Sequence, residues 1–325
     1  MSDTNGHTKA LHVMTHSGWY RFEKNGDSWN QVARDLTFWN LSCIAVDPED
    51  PRTVYGGTEH SGLFYSHDGG ESWTRSSPNV PHLDIFSLWA LPGSLYVGTR
   101  PAALFHGAPG KGWEELPGVR EGGSCGVFPP NPAQAPRTRY LTGDPASPSR
   151  LYAGIEVGGL LVSDDNGADW HTANEGLWDR DIHQLHHCKH EPEMVVAACG
   201  EGIFRSRDRA GHWDEITPSD VRTYGTTVTE TDDGSLYVGV TLGRPNTWVR
   251  KVRASAAILR SEHDASGWKT VAEDLPGGIM DTVPDPDGPG IIAATSEGEI
   301  MIVEGSSCRT VASGLPCINE IALGA

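Results

Sequence analysis

The sequence predicts an all-β chain: a single seven-bladed β-propeller over residues 11–325, closed by its C-terminal strand, behind a disordered tail at 1–10. Three observations predict it. A pattern of serine, aspartate, glycine and tryptophan recurs along the chain. A short apolar phrase recurs ahead of each copy. Finally, 39 glycines and 22 prolines call for many short strands and tight turns rather than long helices.

Ser66, Asp68, Gly70 and Trp73 return at the same spacing as Ser163, Asp165, Gly167 and Trp170. A third copy runs from Ser206 through Asp208 to Trp213, with Ala210 in the glycine's place. Weaker copies end at Trp29, Trp113 and Trp268, and a degenerate one at Cys308. The seven end points are 44, 40, 57, 43, 55 and 40 residues apart, the period of propeller blades. Serine and aspartate bond the backbone of a turn, glycine supplies positive φ, and tryptophan buries a large ring between sheets. These residues are expected to be structural.

The apolar phrases are the strands. In the second unit Ile44–Pro48 reads as the inner strand, Thr53–Thr58 as the second, Gly62–Ser66 as the third and Ser72–Arg75 as the fourth. The second-strand phrase recurs at Leu95–Thr99, Leu151–Gly154, Leu236–Gly239 and Ile291–Thr295. The first unit lacks an inner strand and the last leaves one spare, Ile318–Leu323. Pairing the two closes the ring and removes exposed sheet edges. Two units are long. One is expected to swell at Pro129–Arg150, between its first and second strands. The other swells at Leu242–Ala257, between second and third, where Arg244, Trp248, Arg250 and Lys251 could cover the channel mouth.

A net charge of −18 repels phosphate backbones and anionic lipid, which excludes nucleic acid and membrane surfaces as expected partners. No apolar run has the length of a membrane span, and the first ten residues lack the apolar core of a signal peptide, so a cytoplasmic location is expected. Six cysteines without a CxxC pair are expected as free thiols.

On these boxes, the chain resembles the Asp-box (BNR-repeat) propeller family, a sialidase-like group whose strict form is Ser-x-Asp-x-Gly-x-x-Trp; Ser66–Trp73 and Ser163–Trp170 fit it fully. The family includes sialidases, seven-bladed xyloglucanase-type glycosidases, sorting receptors and photosystem assembly factors. The resemblance implies a fold and leaves function open. Sialidases carry an Arg-Ile-Pro phrase that is absent here. The seven-bladed glycosidases place an acidic residue after a second strand in a phrase like Thr-Asp-x-Gly-Gly. The segments Gly57–Gly62 and Gly154–Gly159 look similar, with Glu59 and Glu156 for the aspartate. Those enzymes join two propellers around their cleft.

Aligning the second strands places His16, Glu59, Arg100, Glu156, Gly200, Thr241 and Ser296 in equivalent slots, so the first four project toward one funnel. His60 follows Glu59. Loops entering the inner strands add Trp39, Asp84, Asp181, His183, Tyr224 and Asp281. The pattern supports three expectations. Glu59 and Glu156, with His183, serve as catalytic groups of a hydrolase or lyase acting on a small polar or glycosidic substrate, held by His60, Arg100, Trp39, Asp181, Tyr224 and Arg244. Alternatively, His16, His183, Glu59 and Glu156 hold a divalent metal, the one cofactor in view. In the third, the mouth binds a small molecule, carbohydrate or protein loop without chemistry. No phosphate loop, dinucleotide fingerprint or serine-hydrolase spacing is present.

Overall fold

The protein is described by a computed structural model over residues 9–26, 28–76, 80, 82–122, 135–218, 222–245, 248 and 254–324. Each sequence unit becomes a four-stranded antiparallel sheet, and seven such sheets surround one channel. Blade 1 joins the C-terminal strand β28 (Ile318–Gly324) to β1 (Ala10–Thr15), β2 (Gly18–Asn25) and β3 (Ser28–Asp35). The pairing of Leu11 with Leu323 and Met14 with Glu320 closes the ring as expected. Ala10 is already in β1 and Lys9 is ion-paired to Asp287, so these two do not belong to the disordered tail expected at 1–10; residues 1–8 lie outside the described residues.

Blade 2 holds β4 (Leu41–Val46), β5 (Val54–Thr58), β6 (Gly62–Ser66) and β7 (Thr74–Arg75). Blade 3 holds β8 (Asp84–Leu91), β9 (Ser94–Arg100), β10 (Leu104–Ala108) and β11 (Gly112–Glu115), and blade 4 holds β12 (Thr138–Asp144), β13 (Ser147–Ile155), β14 (Gly159–Ser163) and β15 (His171–Thr172). Blade 5 is β16 (Ile182–His187) to β19 (Asp214–Glu215), by way of β17 (Val195–Cys199) and β18 (Gly202–Ser206). Blade 6 is β20 (Tyr224–Glu230), β21 (Leu236–Thr241), β22 (Ala256–Glu262) and β23 (Ser266–Leu275). Blade 7 is β24 (Ile279–Pro284), β25 (Ile291–Thr295), β26 (Ile300–Glu304) and β27 (Ser307–Ala312).

The recurring box behaves as its chemistry dictates. Ser66 Oγ accepts from the Gly70 amide at 2.8 Å and donates to Asp68 at 2.6 Å, while Asp68 accepts from the Ser72 amide. The Ser163 and Ser206 hairpins repeat the pattern. The tryptophans wedge between blades: Trp213 is buried and donates to Ala173 O of the preceding blade at 3.0 Å. The core accordingly divides into seven apolar clusters, one at each interface between neighbouring blades. The five described cysteines are free.

One expectation is corrected. Thr138–Asp144 is itself the inner strand of blade 4, joined to β13 by a tight turn at 145–146. The excess therefore lies at 116–137, between blades 3 and 4, and not between first and second strands. Thr138 pairs with Ile155 at the end of the second strand, so this segment emerges on the face that also carries the 242–255 insertion. Both long segments therefore leave and rejoin the sheets on the mouth face.

Every inner strand also carries an irregularity that the phrases did not reveal. At the same depth, one residue has no partner on the second strand: Asn319, Ser42, Phe86, Arg139, His183, Thr226 and Met280 in blades 1 to 7. Such a bulge re-aims side chains and tightens the local twist. All seven residues line the channel. Around them, side chains bond the backbone of the next blade. Ser42 donates to Ile85 O, Ser87 to Thr138 O at 2.7 Å, and Thr229 to Thr282 O at 2.8 Å. Asp281 accepts from the Ile321 amide at 3.0 Å, and Glu320 from the Ile44 amide at 2.9 Å.

Two predictions follow from this packing. Gly98 stands opposite the bulge, where an added Cβ would lie 2.2 Å from Ser87 Oγ and 2.8 Å from Thr138 of the next blade. Gly98→Ala is expected to cost about 1–3 kcal/mol. Gly154→Ala, whose nearest neighbour would be 3.0 Å away, is expected to lower the Tm less. Thermal melts of the two variants check the order. The second prediction concerns Glu320. Burial, reinforced by the Asp281 charge, raises its pKa from 4.5 to about 8. The folded state then holds a proton that the unfolded state releases between those values, so this group's contribution is present below pH 4.5 and lost as pH rises toward 8. Glu320→Gln is expected to flatten that loss in denaturation midpoints measured across the window.

Candidate functional site

The second strands end together on the mouth face, and the turns that follow them present Glu59 and Glu156 as expected. In both turns the next residue is forced into the left-handed region, with His60 at φ 72° and Val157 at φ 61°. Left-handed backbone in a β-branched residue is strained by roughly 1–2 kcal/mol. Val157 is nevertheless exposed.

Across blades 2 to 4 the polar groups form a chain. His60 donates its amide to Asp84 Oδ1 at 2.8 Å, and its Nδ1 lies 2.6 Å from the same oxygen. Arg100 donates from Nε and Nη2 to Asp84 Oδ2 at 3.1 and 2.9 Å. Burial disfavours the Asp84 charge, yet the bonds from Arg100 and His60 outweigh it and hold the carboxyl below its ordinary pKa. The Arg100 and Arg137 guanidiniums both lie against the Phe86 ring, 4.8 and 4.4 Å from its centre. Arg137 then grips Glu156, with Nη2 donating to Oε1 at 2.8 Å.

The other half of the mouth is built by blades 5 and 6. His183, itself the bulged residue, has Nδ1 2.5 Å from Gly225 O. That nitrogen donates, which leaves Nε2 to accept from the Tyr224 hydroxyl at 3.1 Å. Asp181 lies 3.7 Å from Nε2, too far for a hydrogen bond. Burial opposes the Asp181 charge, but His183, Arg244 and Arg139 overcome it and lower the pKa. Neighbouring Asp179 is raised, first by burial and then by the Asp181 charge. Arg244 reaches Glu201 at 3.7 Å on the open rim. Trp248 donates to Gly243 O at 2.7 Å and turns its ring edge to Tyr224. Arg250 and Lys251, the other flap residues, lie outside the described residues.

These contacts correct five site expectations. Glu59 and Glu156 are not equivalent: Glu156 is ion-paired, whereas Glu59 has no side-chain partner among the described residues and only its amide is engaged, with Asn40 O. His183 is tied by both ring nitrogens, which leaves it neither a free base nor a free ligand. His16, His183, Glu59 and Glu156 do not form a metal set. Among the described residues, one group of three potential ligands has mutually close donor atoms, and it lies elsewhere. Trp39 serves the core, with its ring packed 5.1 Å from that of Phe64. Asp281 lies inside the channel and not at its mouth. The channel cavity there is about 40 Å³, room for a water or two. A larger ligand must sit above it.

Sequence reasoning missed Arg137, Phe86, Asp179 and an apolar rim. Of the six large hydrophobic side chains that stand exposed among the described residues, Phe38, Leu83, Val157, Trp178 and Leu242 are all in mouth-face turns; Val32 alone is not. Phe38 is 92% exposed and Trp178 56%. Arg137 and Asp179 belong to the loop class that enters inner strands, so correct placement of β12 would have found the first.

The Val157 strain gives this site's own prediction. Val157→Gly removes the left-handed penalty and is expected to raise the Tm. If the Tm falls instead, Val157 is held by packing that outweighs its backbone strain.

No family model matches the chain. A curated relative, the oligoxyloglucan-reducing end-specific xyloglucanase of Emericella nidulans, is 25% identical over 194 residues, 51% of this chain and 22% of that protein. A second, a probable enzyme of the same description from Neosartorya fischeri, is 22% identical over 264 residues, 70% of this chain and 30% of that protein. The chain thus spans less than a third of the curated relatives it matches. Among solved structures, the GH74 xyloglucanase of Xanthomonas campestris superposes with a TM-score of 0.64 at 14% identity, covering 92% of this chain and 46% of that one. YCF48 bound to D1 peptide superposes with a TM-score of 0.56 at 13% identity, covering 95% and 87%. At these identities the solved structures share the fold: this chain is a seven-bladed propeller of the kind found in xyloglucanases and YCF48.

Proposed function

We propose that the protein binds a carbohydrate-type ligand across the mouth face, at the rim above the channel. The observation that carries this reading is the rim itself. Exposed Phe38 and Trp178 share one face with the carboxylates Glu59, Asp84 and Glu156. Sugars present apolar ring faces and hydroxyl edges, and a surface of aromatic planes among carboxylate acceptors meets both. The xyloglucanase relatives act on a carbohydrate of this kind.

A glycosidase activity on the same ligand would require a second carboxyl beside the partner-free Glu59, at about 5–10 Å. Glu156 is the candidate: its ion pair with Arg137 suits a nucleophile or base, and the role of acid then falls to Glu59. A non-catalytic reading with a peptide ligand is favoured by one specific finding. The structural similarity covers 87% of YCF48, which was solved with a D1 peptide, but 46% of the Xanthomonas campestris xyloglucanase.

Calorimetric titration with xyloglucan oligosaccharides is the test. Phe38→Ala and Trp178→Ala are each expected to weaken binding about tenfold, near 1.4 kcal/mol. Reducing-end release that vanishes in Glu59→Gln adds hydrolysis to binding. No oligosaccharide binding, together with binding of an extended peptide that Trp178→Ala abolishes, would give the mouth to the peptide reading.

A further inference from the structure

The face opposite the mouth carries a cluster with a different chemistry. β16 carries His186 and ends at His187; Cys188 follows directly and His190 lies in the bend beyond, each placed toward blade 6. The last residue of β20, Glu230, stands beside them from the neighbouring blade. His186 Nε2 is 3.1 Å from Glu230 Oε2, and His190 Nδ1 is 3.0 Å from Glu230 Oε1. One donor atom each from His186, Cys188 and Glu230 fall within 4.8 Å of one another. Glu230 is almost wholly buried, its side chain 1% exposed, and Cys188 is buried at 2%. His190 is 45% exposed and opens the cluster to solvent.

We propose that His186, Cys188 and Glu230, completed by His190, form a binding site for a zinc-class transition metal ion that staples blade 5 to blade 6. The donor set decides the class. Two imidazoles, a thiol and a carboxylate suit Zn²⁺ or Co²⁺, and a sulfur donor disfavours Ca²⁺ and Mg²⁺. The spacing fits as well. The donor atoms of His186, Cys188 and Glu230 lie within 4.8 Å of one another, where ligand atoms about 2.0–2.3 Å from a tetrahedral ion sit roughly 3.3–3.8 Å apart, and His190 shifts inward from beside Glu230 to complete the set. As the metal–sulfur bond forms, the Cys188 thiol gives its proton to solvent; nothing is oxidised or reduced.

Three donors come from one strand and its continuation, and the fourth comes from the next inner strand. A bound ion would therefore cross-link adjacent blades where no Asp-box hairpin does. His263, on the outer hairpin of blade 6, has its ring 5.8 Å from that of His190 and stands over the entrance. The site lies across the ring from the rim, so it is independent of whatever the mouth binds.

The test uses the full chain, stripped with chelator and titrated with Co²⁺. One equivalent is expected to bind, with a thiolate-to-cobalt charge-transfer absorption, to be displaced by Zn²⁺ and to raise the Tm. Cys188→Ser is expected to abolish the absorption, and His190→Ala, a change at the open edge that leaves the core intact, to weaken binding at least tenfold. Circular dichroism confirms that each variant is folded. Folded wild-type protein that binds no cobalt overturns the proposal and leaves the four residues as an ion-paired cluster. Cobalt bound without the absorption, or held equally by His190→Ala, places the metal elsewhere and overturns it too.

Discussion

The ring depends on a belt of bulges at one depth of the channel. Seven inner strands meet edge-on around a narrow axis, and a regular strand would present its pleat alike to both neighbours. The unpaired residue in each bends the strand and re-aims side chains beside it toward the next blade. There Ser42, Ser87, Thr229, Asp281 and Glu320 bond main-chain groups across the interface. Because β28 supplies both Asn319 and Glu320, the C-terminal strand adds a blade edge and two members of the belt at once. The carboxyls of Asp281 and Glu320 are buried in this belt, and burial pushes both above their ordinary pKa. Sharing a narrow channel, they favour a proton between them over two charges.

The belt also explains why the mouth is chemically uneven. A bulge fixes where a side chain points and leaves its identity free. Phe86 becomes a plate for two guanidiniums, His183 a hydrogen-bonded partner of Tyr224, and Met280 a plain apolar lining. Unlike groups from adjacent blades are thereby brought to one level without any helix or long loop to position them. Electrostatics then sorts them into pairs. Arg100 takes Asp84 and Arg137 takes Glu156, which leaves Glu59 without a partner in the described part of an otherwise neutralised arc.

The blades were legible because their signal is local and repeated. A serine two residues before an aspartate, with glycine and tryptophan following, builds the same hairpin wherever it occurs, and Ala210 shows that the turn tolerates loss of the glycine, at φ 71°. The closing strand was legible by counting. The pairings at the mouth were not, because they join residues far apart in sequence through inter-blade geometry. Arg100 meets Asp84, 16 residues earlier, and Glu156 meets Arg137, which precedes an inner strand that had been read as part of a loop. The bulges were hidden for a related reason. An extra residue in a strand leaves alternating burial readable on either side and shows itself only in the register. The glycine of the second-strand phrase was its trace: Gly57 and Gly98 stand opposite the crowded residue beyond the bulge, where a Cβ would press on the next blade.

The two rims now differ in a way that bears on function. Asp-box turns and short inner hairpins occupy one face, where the box side chains bond their own backbone and the His186–Cys188–Glu230 cluster stands apart from them. The other face carries Glu59, whose carboxylate has no partner among the described residues, with the exposed aromatics, a left-handed valine and the ends of both long segments. Strain and exposed apolar surface each cost stability, and each is cheap to remove by a single substitution. Left-handed residues occur on both faces, but exposed apolar side chains do not: five of the six among the described residues crowd the mouth rim, above a channel too narrow for anything but water and a scaffold that has no need of them.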